Sequence, residues 1–167
     1  MWRMVLGLTL PVIVIDQITK WYIETRFELF EAVSIIPDLL AIVSVRNQGA
    51  AFSILANSSI RKPFFIVVSS LACLVILWYL RLHSADSPSM RLPLALILGG
   101  AAGNLIDRIR LGEVIDFIAV YWKGHHWPAF NIADSAICIG VALLSFRLWR
   151  EQAHAAAGDG DLHDKKS

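Results

Sequence analysis

The sequence predicts a mainly α-helical polytopic membrane protein with four transmembrane helices, one small β-rich loop outside the membrane, and one loop or short helix at the membrane interface. Hydrophobic residues make up 56% of the 167 positions and charged residues 17%, whereas soluble domains have roughly 45–50% and about 25%. The mean hydropathy is +0.58. We therefore expect one membrane domain over residues 1–150 and a disordered tail over residues 151–167.

Four apolar stretches come close to the roughly 20 residues that a helix needs to cross a bilayer. The predicted spans are residues 4–23, 63–80, 92–110 and 131–149. The second span contains no charged residue, whereas the first requires that Asp16 and Lys20 be tolerated near one end. No A-x-A-like cleavage site follows the first stretch, so we interpret it as a retained helix and not as a signal peptide.

Two longer loops, residues 24–62 and 111–130, lie on the face opposite the termini, because four spans return the chain to its starting side. Residues 39–46 alternate and are rich in β-branched side chains, which predicts a strand running into a turn at Asn47-Gln48-Gly49. The second loop is aromatic and apolar enough to lie at the interface. Seven of the 15 Lys and Arg residues fall on the side of the termini and eight on the other, so the positive-inside rule does not orient the protein.

Composition argues against several classes of function. A net charge of +1 provides no electrostatic footprint for nucleic acid. Cys73 and Cys138 lie in apolar runs without metal-ligand spacing, which indicates small buried hydrophobes. His125 and His126 are adjacent in a loop and are not spaced as ligands on one helix face. We therefore predict no cofactor and no metal.

Polar residues gather at one end of three spans, on the face that also carries the two long loops. They are Asp16 and Lys20 in the first span, Asn104, Asp107 and Arg108 in the third, and Asn131 and Asp134 in the fourth. Ionisable groups within spans are costly, so their convergence indicates a site near one membrane surface. Structural explanations remain open for each of them. Lys20 could pair with Asp16 and snorkel to the interface, Arg108 could anchor a helix end, and Asn131 could be an N-cap.

Two carboxylates, Asp116 in the second loop and Asp134 at the start of the fourth span, lie 18 residues apart. A short loop can bring them together, and at about 4 Å they would repel by about 4 kcal/mol at an effective dielectric near 20. That repulsion corresponds to about three pKa units, so the two groups would share one proton near neutral pH. Such a pair can activate a water and protonate a peptide carbonyl. A small ion-coupled transporter and a non-catalytic membrane scaffold remain alternatives.

Five motifs in order along the chain resemble those of bacterial lipoprotein signal peptidase, the signal peptidase II family. They are DQITK (16–20), RNQGAAFSIL (46–55), GGAAGNLIDRI (99–109), VIDFI (114–118) and FNIADSAI (130–137). The resemblance implies an aspartic endopeptidase of the bacterial inner membrane with both termini and the tail in the cytoplasm. The two long loops are then extracytoplasmic, with the active site near the outer face.

The resemblance also implies roles for individual residues. It places the catalytic dyad on Asp116 and Asp134 and the supporting or substrate-binding residues on Asp16, Lys20, Asn47, Gly49, Asn104, Arg108 and Asn131. Its implied partners are membrane lipid, globomycin-type inhibitors and prolipoproteins cut on the N-terminal side of a diacylglyceryl-cysteine. Glu113 departs from the small residue that is common at its position, and its role is open.

Overall fold

Four long helices form the body of the protein in the computed structural model, which describes residues 2–49, 60–83 and 88–164. The helices are α1 (Trp2–Arg26), α2 (Arg61–His83), α3 (Arg91–Arg110) and α4 (Ile132–Asp164), and a short 3-10 helix (Pro88–Met90) precedes α3. Each of the four is long and apolar enough to cross a membrane, with mean hydropathies from 1.3 to 2.3. The four predicted spans are thereby confirmed, and part of the predicted loop 24–62, residues 50–59, lies outside the described residues.

The structure differs from our prediction at the end of the fourth span. Helix α4 continues through Asp164, so residues 151–164 are helical where we predicted a disordered tail. Alanine has the highest helix propensity of all residues, and the alanines at 153 and 155–157 favour extension of an already nucleated helix, whereas Gly158 and Gly160 oppose it. Residues 165–167 of the predicted tail lie outside the described residues.

A four-stranded antiparallel sheet covers one end of the helices. Its strands are β1 (Ala32–Ile36), β2 (Leu40–Asn47), β3 (Val114–Trp122) and β4 (His125–His126), in spatial order β1-β2-β3-β4. Strand β2 confirms the strand predicted over residues 39–46. The predicted loop over 111–130 connects α3 to α4, but it contains strand β3, which was not predicted. Strand β3 pairs along β2, with Val45 opposite Asp116 and Asn47 opposite Val114. The first four residues of β3 are all buried, so they lack the alternation that identifies a half-exposed strand.

Helix α3 lies at the centre of the bundle, and its glycines allow close approach on two sides. A methyl group added at Gly99 would lie 2.8 Å from the Val12 side chain of α1, and one at Gly103 would lie 2.5 Å from Asp16 Oδ2. One at Gly100 would collide with the backbone carbonyl of Ala133 in α4. Gly99 and Gly103 therefore form a small-residue surface that faces α1, and Gly100 sets the spacing to α4.

Replacing Gly100 with alanine should lower the free energy of unfolding by about 1–3 kcal/mol, the usual effect of overpacking. The added methyl group meets the Ala133 backbone, which cannot move aside as a flexible side chain would. The measurement is thermal unfolding in detergent. Gly7→Ala is the matched control, because Gly7 lies in α1 with open space around it. A Gly100→Ala protein as stable as Gly7→Ala would show that the α3–α4 contact tolerates expansion.

Apolar clusters at the two ends hold the sheet and the helices in register. Ile23 at the end of α1 packs with Ile115 and Phe117 of β3, which fixes the sheet onto the bundle. At the opposite end, Val5 and Leu80 belong to a second cluster that joins α1, α2 and α3. The end that carries the sheet is therefore held against the helices by its own core.

Candidate active site

Asp116 lies in β3 with its carboxyl group buried at the junction of the sheet and the helices. The residue is 1% exposed. Asn47, at the end of β2, donates from Nδ2 to Asp116 Oδ2 at 2.8 Å, and Asn131 donates from Nδ2 to Oδ1 at 2.8 Å. Each carboxyl oxygen therefore has one amide donor, which fixes the plane of the group.

Burial raises the pKa of Asp116 from its ordinary value to about 6. The Asn47 donor lowers this pKa, the nearby charge of Asp134 raises it, and Asn131 and Lys20 lower it. Because the folded protein holds this proton up to a higher pH than the unfolded chain does, the group's contribution to stability falls as pH rises from about 4 to about 6. A carboxyl group that titrates near 6 can take up and release a proton close to neutral pH.

Removing the Asn47 amide should raise the pKa of Asp116 above about 6, because a donor that favours the ionised form is lost. We expect this shift in Asn47→Ala, measured by following the Asp116 carboxyl signal through a pH titration with infrared or carbon NMR spectroscopy. Gln48→Ala is the control from the same turn, since the Gln48 amide bonds to Glu113 and not to Asp116. A pKa that is unchanged or lower in Asn47→Ala would contradict the assigned hydrogen bond.

Asp134 lies in the first turn of α4, where it forms a reciprocal cap with Asn131. The Asp134 backbone N–H donates to Asn131 Oδ1 at 2.9 Å, and the Asn131 backbone N–H donates to Asp134 Oδ2 at 3.3 Å. The predicted N-cap is therefore confirmed. The other carboxyl oxygen, Oδ1, accepts a hydrogen bond from Asn104 Nδ2 at 2.8 Å. Capping thus accounts for only one of the two Asp134 oxygens.

Asn131 connects the two aspartates. Its side chain is fully buried, and its amide nitrogen lies 2.8 Å from Asp116 Oδ1, 3.2 Å from Asn104 Oδ1 and 3.2 Å from the Ile115 carbonyl. Its amide oxygen and backbone N–H hold Asp134. One residue therefore binds both carboxyl groups, which brings Asp116 and Asp134 to one place.

A buried ionic cluster supports this site from within the helix bundle. Lys20 Nζ lies 2.9 Å from Asp16 Oδ2, 2.9 Å from Asp107 Oδ2 and 3.0 Å from Asn104 Oδ1. The lysine side chain is 0% exposed, so the predicted pairing with Asp16 is present but the proposed snorkelling of Lys20 to the interface was wrong. Asp16 also accepts a hydrogen bond from the Ala133 backbone at 2.9 Å. The cluster therefore joins α1, α3 and the first turn of α4.

Asn104 has its amide orientation fixed by this cluster. Lys20 can only donate, so the Asn104 oxygen must face it and the amide nitrogen must face Asp134. The position of the Asp134 carboxyl group thus depends on a lysine from a different helix.

Two members of the cluster, Gln17 and Asp107, were not assigned a supporting role by the sequence analysis, although Asp107 was named there among the converging polar residues. Gln17 donates from Nε2 to Asp107 Oδ1 at 3.0 Å, and it also lies 3.2 Å from Asp16 Oδ2 and from the Gly103 carbonyl. Asp107 receives the Ile115 backbone N–H at 3.3 Å in addition to its ion pair. A supporting role for Asp107 could have been inferred from its position three residues after Asn104, on the same helix face. For Gln17 the available signal was its position inside the DQITK motif.

Arg108 and Gly49 lie beside the site without contacting either Asp116 or Asp134 by a hydrogen bond among the described residues. Arg108 donates to Ser69 Oγ at 3.2 Å, and its guanidinium lies 5.7 Å from the centre of the Phe65 ring. Gly49 has φ +80 and donates its N–H to Asn47 Oδ1 at 2.8 Å. A side chain at Gly49 would lie 2.5 Å from Phe65. The tight turn therefore positions Asn47, which in turn holds Asp116.

Glu113 belongs to a set of charged groups on the rim of the site. Its carboxyl group lies 3.9 Å from Arg46 Nε and accepts a hydrogen bond from Gln48 Nε2 at 3.4 Å. Arg46 also pairs with Glu24 at 3.2 Å. Glu113 therefore fastens the turn after β2 to the start of β3.

An open cleft of about 640 Å³ leads to Asp116. One side is formed by the end of β2 and the turn after it, and the other by Pro128 and Ala129. Within residues 2–49, 60–83 and 88–164, no group of three or more His, Cys, Asp or Glu side chains is arranged to hold a metal ion. Asp116 and its donor Asn47 line this cleft, and Asn131 holds Asp134 beside them.

Comparison with known proteins identifies the family. The model of the family described as signal peptidase (SPase) II matches residues 8–150. The chain belongs to the signal peptidase II family. Lipoprotein signal peptidase of Syntrophotalea carbinolica is 48% identical over 149 residues, covering 89% of this chain and 92% of the relative. That of Geobacter metallireducens is 51% identical over 140 residues, covering 84% and 86%.

The fold also matches a solved bacterial membrane enzyme, determined by the in meso method at 2.3 Å resolution. Its TM-score is 0.79 at 33% identity, with 90% of each chain covered. The four apolar helices and this likeness make the signal peptidase II chain a multi-pass membrane protein and a peptidase. The transporter and scaffold alternatives are not favoured, because the matched family and relatives are peptidases.

Proposed function

We propose that this chain is an aspartic endopeptidase that removes the signal peptide from diacylglyceryl-modified prolipoproteins, cutting on the N-terminal side of the lipidated cysteine. The observation that carries the proposal is that Asn131 binds both Asp116 and Asp134 beside an open cleft. The relatives named lipoprotein signal peptidase support the choice of substrate. Asp116 and Asp134 are the proposed catalytic dyad.

The proposed reaction is direct attack of water on the peptide carbonyl. The ionised carboxyl group takes a proton from the water as the water oxygen bonds to the carbonyl carbon, and the protonated carboxyl group gives its proton to the carbonyl oxygen. The resulting neutral diol then breaks its C–N bond. The carboxyl group that took a proton from the water gives that proton to the leaving nitrogen. A diol hydroxyl gives its proton to the carboxyl group that had protonated the carbonyl oxygen. The dyad ends in its starting protonation state, and the proton belongs to the pair.

The remaining predicted residues have orienting roles in this proposal. Asn47, Asn104 and Asn131 direct amide donors at the two carboxyl groups, which holds them close to a productive geometry. Asp16 and Lys20 fix the position of Asn104, and Gly49 fixes the turn that carries Asn47. Arg108 is held beside the site by Ser69 and Phe65.

We also propose that the protein lies in the bacterial inner membrane with both termini in the cytoplasm and the cleft near the outer face. The exposed side chains of Trp21, Trp122 and Trp127 at the end that carries the sheet support an interfacial position for that end. A substrate anchored by its diacylglyceryl group would meet the cleft from the surrounding membrane lipid. Globomycin-type cyclic peptides are the proposed inhibitors, since they would occupy the same cleft.

Incubating the purified protein in detergent with a diacylglyceryl-cysteine peptide tests the proposal. We expect two products, separated by mass spectrometry, with the new N-terminus at the lipidated cysteine and with no metal added. The matched control is the same peptide without the diacylglyceryl group, which we expect to remain uncut. An intact lipidated peptide after prolonged incubation, or cleavage at a position elsewhere in the chain, would refute the proposed activity.

A further inference from the structure

A second groove lies at the end of the bundle opposite the sheet, between the start of α3 and the last part of α4. Its volume is about 340 Å³. Leu92, Leu143 and Phe146 form an apolar floor, and Arg147, Arg150 and His154 form part of its rim. Thirteen residues of α4 separate Asp134 from Arg147, which corresponds to about 20 Å of helix. The groove is therefore distinct from the proposed catalytic cleft.

The rim of this groove is positively charged. Arg147 pairs with Glu151 at 2.6 Å, and those two charges cancel. Arg150 makes no ion pair with any other described residue, so its charge remains.

The combination of floor and rim matches an amphiphile with a negatively charged head. The apolar floor lies along membrane-spanning segments of α3 and α4, and the cationic rim lies where Trp149, 63% exposed, marks the interfacial region of α4. A soluble anion would leave the apolar floor without a partner. A zwitterionic lipid would not gain from the net charge of the rim.

We propose that this groove binds an anionic phospholipid, with an acyl chain along Leu92, Leu143 and Phe146 and the phosphate at Arg150. Basic pockets between spanning helices are known to hold such head groups, and each Lys or Arg near the surface adds about fivefold to the affinity. The proposal does not depend on the peptidase activity. It assigns a lipid site to the end of the bundle that the proposed chemistry does not use.

Native mass spectrometry of the purified protein tests this proposal. Phosphatidylglycerol and phosphatidylcholine with identical acyl chains are titrated separately. We expect tighter binding of phosphatidylglycerol, a loss of about fivefold in Arg150→Gln, and retention in Arg150→Lys. Arg81→Gln is the matched control, because Arg81 lies near the C-terminal end of α2, is exposed, and does not line the groove.

A second variant tests the apolar floor. Leu143→Trp fills the space for an acyl chain while leaving the rim charges unchanged, so we expect it also to weaken binding of phosphatidylglycerol. Equal binding of the two lipids would overturn the proposal. Equal losses in Arg150→Gln and Arg81→Gln would also overturn it, since they would indicate diffuse surface charge. Competition by glycerol phosphate as strong as that by the whole lipid would leave the floor without a role and would reject a phospholipid as the occupant.

Discussion

Asp116→Asn should reduce cleavage of a diacylglyceryl-cysteine peptide by about 10²–10⁴-fold, and Asp134→Asn should do the same. Asparagine can neither accept the proton of the attacking water nor donate one as a carboxylic acid does, so the general acid–base contribution of about 10²–10⁴ is lost. The two effects should not add in the double variant, because the carboxyl groups act as one unit. Initial rates of peptide cleavage measure this.

The folded state should survive both substitutions. The amide preserves the shape of the side chain and keeps one acceptor oxygen, so each variant can retain one of its two hydrogen bonds. Its NH2 group then faces the other donor, and we expect this lost hydrogen bond to lower the free energy of unfolding by about 1–3 kcal/mol without unfolding the protein. Thermal unfolding in detergent provides the check. Asp38→Asn is the matched control, because Asp38 is an exposed carboxylate in the β1–β2 turn with φ 58, a conformation that asparagine tolerates. Appreciable turnover by either purified dyad variant would contradict the assigned roles.

Lys20→Met should lower the free energy of unfolding by about 3–5 kcal/mol, the usual result of removing one partner from a buried ion pair. Methionine fills much of the space of the lysine stem but leaves Asp16 and Asp107, both fully buried, without their cation. Unfolding in detergent measures the loss. Lys123→Met is the control, since Lys123 is exposed and a surface charge contributes little.

A second substitution distinguishes charge from packing in this cluster. In Lys20→Met combined with Asp107→Asn, one of the two unpaired carboxylates is neutral, so we expect part of the lost stability to return. If the double variant recovers no stability, the effect of Lys20 is one of packing and not of charge.

The activity per folded molecule should fall less in Lys20→Ala or Asn104→Ala than in the dyad variants, because these residues orient groups and do not transfer protons. A loss equal to that of Asp116→Asn would refute this ranking.

The helices were predictable because a bilayer imposes one simple requirement, a continuous apolar segment of about 20 residues. Strand β2 was also predictable, since its β-branched residues end in the Asn47–Gly49 turn. Strand β3 was not, because Val114 to Phe117 are buried without alternation, and a short apolar run does not distinguish a strand from a helix. Its identity is determined by pairing with β2, from a distant part of the sequence.

In the candidate site, too, some features could be predicted from the sequence and others could not. Asp116, Asp134, Asn104 and Asn131 could be chosen because polar groups are conspicuous at the ends of apolar segments. Their connections could not, because Asn131 joins the dyad only once β3 and α4 have packed together. The burial of Lys20 was likewise hidden, since an i,i+4 pair with Asp16 has the same spacing whether it lies in the core or at the surface. The catalytic and supporting roles themselves stay predictions.

The buried ion cluster has a consequence for how the protein is made. Lys20 leaves the ribosome 87 residues before its partner Asp107, a delay of roughly 4–17 s at about 5–20 residues per second. During that interval the newly inserted first helix carries a lysine that has only one of its two eventual counter-charges. We expect α1 to stay close to the translocon or the lipid surface until α3 emerges, so that biogenesis of the amino-terminal helix depends on a segment synthesised later.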